Sequence, residues 1–286
     1  MVPVTLDSPA FEKVLQESPL AIIDFHTHAF ADTLAPRAMQ VLLDEAPGIK
    51  AYLDGTLGAL GRSMQANGIQ HSVVCCIATR PSQFDPILGW CEAIRSETFF
   101  PLPSIHPADP ERLDRIRLIK AIGFKGVKLH PFYQDFYADE DRMLQMYEVM
   151  AQEDLLVVMH TGYDIAYPRQ RRADPERLLR IQQAFPGLRL VATHLGAWDQ
   201  WDEVEDLLVG SSIRMETSFA MGRMPQDQAR RILLNHPPGL LLFGTDSPWT
   251  DQAGELLLLR GLGLPQDRLE RILWHNAAAL LGLGEA

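Results

Sequence analysis

The chain has 286 residues, 47% of them hydrophobic, and a formal net charge of -11 at neutral pH. That balance disfavours a nucleic-acid backbone as substrate, because a long-range negative field repels phosphates, and no apolar run reaches the roughly 18 residues of a membrane span. The opening Met-Val-Pro-Val-Thr-Leu-Asp has neither the basic nor the apolar region of a secretion signal, and Cys75, Cys76 and Cys91 form no Cys-x-x-Cys pair, so the expectation is a cytoplasmic protein with buried thiols.

Residues 1–19 read as a preface in which Phe11, Val14 and Leu15 give a short amphipathic helix, stopped by Ser18-Pro19. The apolar run Ala21 to Ile23 then leads into Asp24-Phe25-His26-Thr27-His28. Side chains alternate along an extended strand, so His26 and His28 are expected to face one way and Phe25 and Thr27 the other. Two imidazoles on one rigid strand can converge on a divalent ion such as zinc. A stretch rich in Pro and Gly follows to about residue 71, with helical patterns over 36–46 and 55–66. Gly55, Gly58 and Gly61 recur every third residue but lack phosphate-loop spacing, and read as loop or helix-packing glycines. So long a connection after the histidine strand reads as a lid over a site.

From there a unit repeats: an apolar run, a polar turn, an amphipathic helix. The strand candidates are 72–78, 99–105, 124–130, 155–160, 188–194, 213–218 and 240–246, and with the opening strand they make eight. Helices are expected over 83–95, 111–121, 140–153, 175–185, 201–209, 225–235 and 253–261, several of them opened by Asp-Pro or Met-Pro. Eight strand–helix alternations favour a parallel (β/α)8 TIM-type barrel in one domain, residues 1–286, with a core over about 20–250 and the final helices over 251–286. An open doubly wound sheet would carry a Gly-rich phosphate turn after its first strand, where this chain has His26 and His28.

In such a barrel the reacting groups sit at the carboxyl ends of the strands. His26 and His28 end strand one, Lys128 and His130 strand four, His160 strand five, His194 strand six and Asp246 strand eight; His106 follows strand three. His71, His236 and His275 fall elsewhere and are assigned to structure. Nine histidines scattered by chance would not gather at one end, so the pattern points to a metal site.

The ordered set Ile23-Asp24-Phe25-His26-Thr27-His28, Gly126-Val127-Lys128-Leu129-His130-Pro131, Val158-Met159-His160-Thr161-Gly162, Thr193-His194-Leu195-Gly196 and Phe243-Gly244-Thr245-Asp246-Ser247-Pro248-Trp249 resembles the amidohydrolase superfamily. Within it, the chain looks like the amidohydrolase-related branch that contains aminocarboxymuconate semialdehyde decarboxylase and resorcylate-type decarboxylases. The resemblance implies a distorted barrel of the metallo-dependent hydrolase type, with short helical additions at both ends. It implies a catalytic divalent metal, usually Zn2+, held by His26, His28, His160 and Asp246, with His194 beside it handling protons together with Asp246.

Two-metal members of the superfamily carry a carboxylated lysine on strand four, so Lys128, with His194, is the candidate for a bridge or a second ion. An unmodified Lys128 must instead swing away or hold an anionic substrate. The leading expectation is hydrolysis of a small cyclic or carboxylated molecule by metal-activated water, with non-oxidative decarboxylation of an aromatic or enoic acid as the alternative. A related nuclease type and a non-catalytic barrel scaffold rank below both. Substrate contacts are expected from His130, from Trp249, and from Arg169 in a cluster with Arg171 and Arg172. Phe30, Trp90, Phe132, Tyr133, Tyr163 and Trp198 are further candidates for the pocket wall. A homo-oligomer is compatible with the sequence but not implied by it.

Overall fold

The computed structural model describes residues 21–284, so the helix expected near residues 11–15 lies outside the described residues. Eight parallel strands follow in order: β1 Ile23–Thr27, β2 His71–Cys75, β3 Phe99–Leu102, β4 Gly126–Leu129, β5 Leu156–Met159, β6 Arg189–Ala192, β7 Arg214–Glu216 and β8 Leu241–Leu242. Their hydrogen-bonded ladders form two runs, β1-β2-β3 and β4 through β8. Two loose seams join the runs. Phe25 N donates to Phe243 O at 2.8 Å and Asp246 N to His26 O at 2.8 Å, while Lys128 N reaches Pro103 O at 3.0 Å. The strands therefore close in sequence order, and every expected strand is present in shortened form.

Helices α1 Ala35–Glu45 and α2 Leu57–Ala66 fill the long connection, and α3 Phe84–Ile94, α4 Arg112–Ala121, α5 Asp141–Gln152 and α6 Pro175–Ala184 alternate with the next strands. Asp174 caps α6, its carboxylate accepting from Arg177 N at 3.3 Å, and the fixed φ of Pro175 suits the first turn. The short helix α7 Trp201–Glu203 runs into a π turn, Val204–Leu208; α8 spans Gln226–Asn235 and α9 Gln252–Gly261. The final helices close with α10 Gln266–Glu270, a π turn over Arg271–His275, and α11 Asn276–Leu281.

Two apolar layers result. Val127, Leu129, Val157, Met159, Leu190, Ala192 and Met215 face outward to the helices. Ile23, Phe25, Val73, Cys75, Leu102, Leu156, Val158, Val191 and Leu242 come from strands on opposite sides of the ring and can meet only inside it, where Trp274, Ala277, Ala278 and Leu281 close the bottom. Strict alternation put Phe25 opposite His26, yet Phe25 belongs to this inner layer. The β1–β2 register shifts between Asp24 and Thr27, and such a bulge re-aims the residues after it.

The segment read as a lid reaches the loop after β8. Tyr52 N donates to Pro248 O at 2.8 Å, tying the segment after α1 to the loop after β8. The loops after β5 and β6 meet at Gly162, where φ is +87° and a Cβ would stand 2.1 Å from Trp198 N, so only glycine fits. Among the described residues, no helix is long and apolar enough to cross a membrane.

Candidate metal centre

The bulge in β1 and the turn after β8 create the centre. Asp246 has a left-handed backbone, φ +64°, which turns its carboxylate back over β1. His194, Leu195 and Phe219 are left-handed as well, at φ +59°, +54° and +53°. Each such non-glycine position costs on the order of 1 kcal/mol and persists where the surroundings enforce it, as they do at functional sites.

His26 Nε2, His28 Nε2 and Asp246 Oδ1 converge: the two nitrogens are 3.1 Å apart, and the oxygen lies 3.4 Å from the first and 3.1 Å from the second. The partners on the far side of each ring fix the tautomers. His28 Nδ1 donates to Cys75 O at 2.8 Å, and His26 Nδ1 faces Glu216 Oε1 at 2.9 Å and Ser218 Oγ at 2.9 Å. Both Nε2 atoms are left as acceptors that point at each other and at a carboxylate oxygen. Three acceptors in that arrangement call for a cation. Tetrahedral ligation at about 2.1 Å separates neighbouring donors by roughly 3.4 Å, close to the spacings found.

Burial, reinforced by the charge of Lys128, holds His26 well below the ordinary imidazole range, so it stands ready as a neutral ligand. Glu216 was not picked out from the sequence. It is fully buried at the end of β7, and besides His26 it accepts Ser218 N at 2.7 Å, Ser218 Oγ at 2.8 Å and His194 N at 3.0 Å. A carboxylate behind a ligating histidine orients the ring and makes it a better ligand. The strand-end rule could have found it; a lone Glu in Arg-Met-Glu-Thr-Ser gives no other signal.

The structure does not bring His160 into this trio. Its Nδ1 faces His194 Nε2 at 3.0 Å, and its Nε2 faces Tyr163 O at 3.0 Å and Asp164 Oδ2 at 3.6 Å. His194 Nδ1 meets Ser218 O at 3.0 Å. With both outer nitrogens donating to carbonyls, the inner pair are again acceptors face to face. Burial and the neighbouring His130 push His160 down to about 3, while burial and His160 push His194 well down. The His194 and His26 rings are 5.5 Å apart, so the two sets adjoin.

His130 stacks on His160 at 4.1 Å and points its Nε2 at Asp164 Oδ2, 3.3 Å away. Possible ligand atoms of His130, His160 and Asp164 thus lie within 4.8 Å of one another, though His160 Nε2 is taken up by the Tyr163 carbonyl, and Asp164 is another residue the sequence reading missed. Lys128, 1% exposed, places Nζ 3.0 Å from His26 Nε2.

The arginine cluster after β5 lies on the rim. Arg169 pairs with Asp199 at 2.6 Å, Arg171 grips Glu203 through two bonds of 2.6 Å, and Arg172 meets Asp135 at 2.8 Å. Trp249 is half-buried in the loop after β8, its N donating to Asp246 O at 2.9 Å. Trp90 lies on α3 against the outer apolar layer, away from the centre. Phe132, Tyr133 and Tyr167 do form an aromatic wall, with Phe132 6.0 Å from His160, Tyr133 4.5 Å from His130 and Tyr167 5.4 Å from Phe132.

A family profile described as amidohydrolase matches residues 23–283. Among solved structures, an uncharacterized TIM-barrel protein from Bordetella bronchiseptica is 21% identical, with 92% of this chain and 99% of that chain covered and a TM-score of 0.75. The 5-carboxyvanillate decarboxylase of Sphingomonas paucimobilis is 14% identical, with 93% and 100% covered and a TM-score of 0.68. The 5-carboxyvanillate decarboxylase of Novosphingobium aromaticivorans, solved with manganese and a nitrobenzoic acid, is 13% identical, with 92% and 96% covered and a TM-score of 0.67. At these identities the likeness speaks for the fold. No curated protein matches the chain.

Proposed function

The chain belongs to the amidohydrolase family, and from that premise we propose that it is a metal-dependent lyase that removes carbon dioxide from a small carboxylic acid. The observation that carries this reading is Lys128. It is buried beside the acceptor trio, 3.0 Å from His26 Nε2, and among the described residues it forms no ion pair. A buried ammonium with no carboxylate partner of its own is held in reserve beside the trio as a proton donor to a ligand. The solved decarboxylases of the same fold fit this reading better than they fit hydrolysis.

His26, His28 and Asp246 would hold the divalent ion; His160, with His194, stands next to them as the further donor. When bound, the ion supplies Lewis acidity toward a substrate oxygen. The imidazole-rich set suits zinc, and manganese, found in a solved relative of the fold, is the competing choice.

Loss of carbon dioxide leaves the electron pair of the broken C–C bond on the substrate carbon, which then takes a proton. His26 Nε2, His28 Nε2 and Asp246 Oδ1 are acceptors, so the proton comes from a donor, and Lys128 Nζ is the one at hand. The aromatic wall of Phe132, Tyr133 and Tyr167 screens the site from water and gives a flat acid a surface to lie on.

Hydrolysis is the second reading, favoured by Asp246. Its carboxylate is 12% exposed to the mouth and lies 3.1 Å from His28 Nε2, placed to take a proton from an attacking water.

Carboxyl-13C-labelled hydroxybenzoates and unsaturated acids, assayed beside a panel of esters, lactones and amides, separate the two chemistries. The proposal expects metal-dependent release of labelled carbon dioxide, reduced about 100-fold or more in Lys128→Met. Turnover of the ester or amide panel with no carbon dioxide from any acid contradicts it.

A further inference from the structure

The three arginines of the loop after β5 are already matched with Asp199, Glu203 and Asp135. Arg223, in the loop after β7, is different. Among the described residues its guanidinium makes no hydrogen bond or ion pair, and it lies over the face of Phe219, with Cζ 3.6 Å from the ring centroid.

The backbone explains how it comes to the mouth. From Ser218, which touches His26 and His194, Ala220 N bonds back to Thr217 O at 3.3 Å and Arg223 N to Ala220 O at 3.1 Å. These successive turns carry the chain from the floor of the centre to its rim. Phe219 is buried and left-handed, and its ring lies 6.4 Å from that of His194 and 6.3 Å from that of Trp198. Trp198 Nε1 is buried without a hydrogen-bond partner, so a second donor on this ledge is unspent. Phe219 joins the guanidinium to the metal side of the mouth, since the same ring that carries Arg223 stands against His194.

A guanidinium lying on an aromatic ring uses one face and keeps its N–H donors free at the edge, where they match a carboxylate in bidentate fashion. We propose that Arg223, seated on Phe219 and helped by the Trp198 indole N–H, is the residue that grips a carboxylate of the substrate and sets its orientation over the metal centre. The inference rests on the reading of the substrate as a small carboxylic acid. It adds the residue that recognises the acid, on a loop other than the one the sequence suggested. The ligand class is a flat organic carboxylate, with a ring or conjugated chain that lies along Phe219 and Trp198.

The test is calorimetric binding of benzoate and of benzamide, its neutral isostere, to the full chain loaded with zinc, for wild type, Arg223→Gln, Arg223→Lys and Arg169→Ala. Wild type is expected to prefer benzoate. Arg223→Gln is expected to bind benzoate about tenfold more weakly and benzamide unchanged, the effect of losing one accessible charge-assisted contact. Arg223→Lys should fall between, and Arg169→Ala should match wild type. Arg223 is on the surface, and an unchanged melting temperature confirms that its variants fold. Equal affinity of wild type for the two probes, or benzoate binding by Arg223→Gln at wild-type strength, overturns the proposal and leaves the decarboxylase reading standing. Conversely, Arg223-dependent benzoate binding in a protein that releases no carbon dioxide from any acid keeps the anion site and removes the lyase.

Discussion

Glu216→Gln is the most informative single change, because it alters one buried atom and no proposed ligand. Glu216 Oε1 receives His26 Nδ1 at 2.9 Å, Ser218 Oγ at 2.8 Å and His194 N at 3.0 Å, while Oε2 receives Ser218 N at 2.7 Å. A glutamine has one oxygen for these two clusters of donors. That oxygen stays where three donors meet, and the new NH2 then faces Ser218 N–H. Leaving that buried donor unmatched costs about 1–3 kcal/mol of folding stability. His26 keeps a neutral oxygen behind it but loses the charge, and disturbing such a partner weakens metal binding about 10–100-fold, or roughly 1.4–2.7 kcal/mol. Competition against a chelator of known affinity reads the second number, and urea unfolding of the metal-free protein reads the first. A variant that folds and binds metal within about twofold of wild type would refute the role assigned to Glu216.

The other predictions address separate links. Gly244→Ala should damage the centre from behind, because a Cβ there would lie 2.2 Å from Glu216 Oε2 and 3.0 Å from His26 Cβ; weaker metal binding with a lowered melting temperature is expected, and an unchanged chelator competition would contradict it. His236, whose Nε2 meets Ile213 O at 2.9 Å, is pushed down to about 4 by burial from 6.5, so it is neutral when folded and protonates in the unfolded chain. Its contribution is complete above pH 6.5 and is lost as pH falls toward 4, on the order of 3 kcal/mol in all. The difference in stability between wild type and His236→Gln, followed by urea titration across that range, should narrow with falling pH; a constant difference would count against this assignment. Arg171→Ala should leave turnover within about twofold, since its guanidinium is occupied by Glu203 and exposed pairs of this kind contribute little.

The barrel was legible because most strands are apolar runs that end in a polar residue, and most of the helices between them have an amphipathic period. His26, His28, His130, His160, His194 and Asp246 could be gathered from that rule alone, and the structure puts all of them at one end. Three things were beyond it. The bulge in β1 breaks period two, so Phe25 shares the barrel interior although the spacing set it on the side opposite His26 and His28. Glu216 and Asp164 act through tertiary neighbours, His26 in one case and His130 with His160 in the other, and a carboxylate seen in one dimension looks like any surface acid. The arginine cluster announced itself by density, yet its members pair with Asp199, Glu203 and Asp135; Arg223, alone in its loop, makes no ion pair among the described residues. His160, which the resemblance put with His26, His28 and Asp246 as a ligand, stands beside them with its ring held by His194 and Tyr163.

The central claim is that His26, His28 and Asp246 form a cation site on which any chemistry of this chain depends. Calorimetric titration of zinc into the chelator-stripped full chain tests it most directly, with His28→Ala as the paired sample. The account predicts saturable binding by wild type and its loss in His28→Ala, whose imidazole supplies one of the three converging acceptors. Wild-type protein that takes up no divalent ion, or His28→Ala that binds zinc as tightly as wild type, would contradict it.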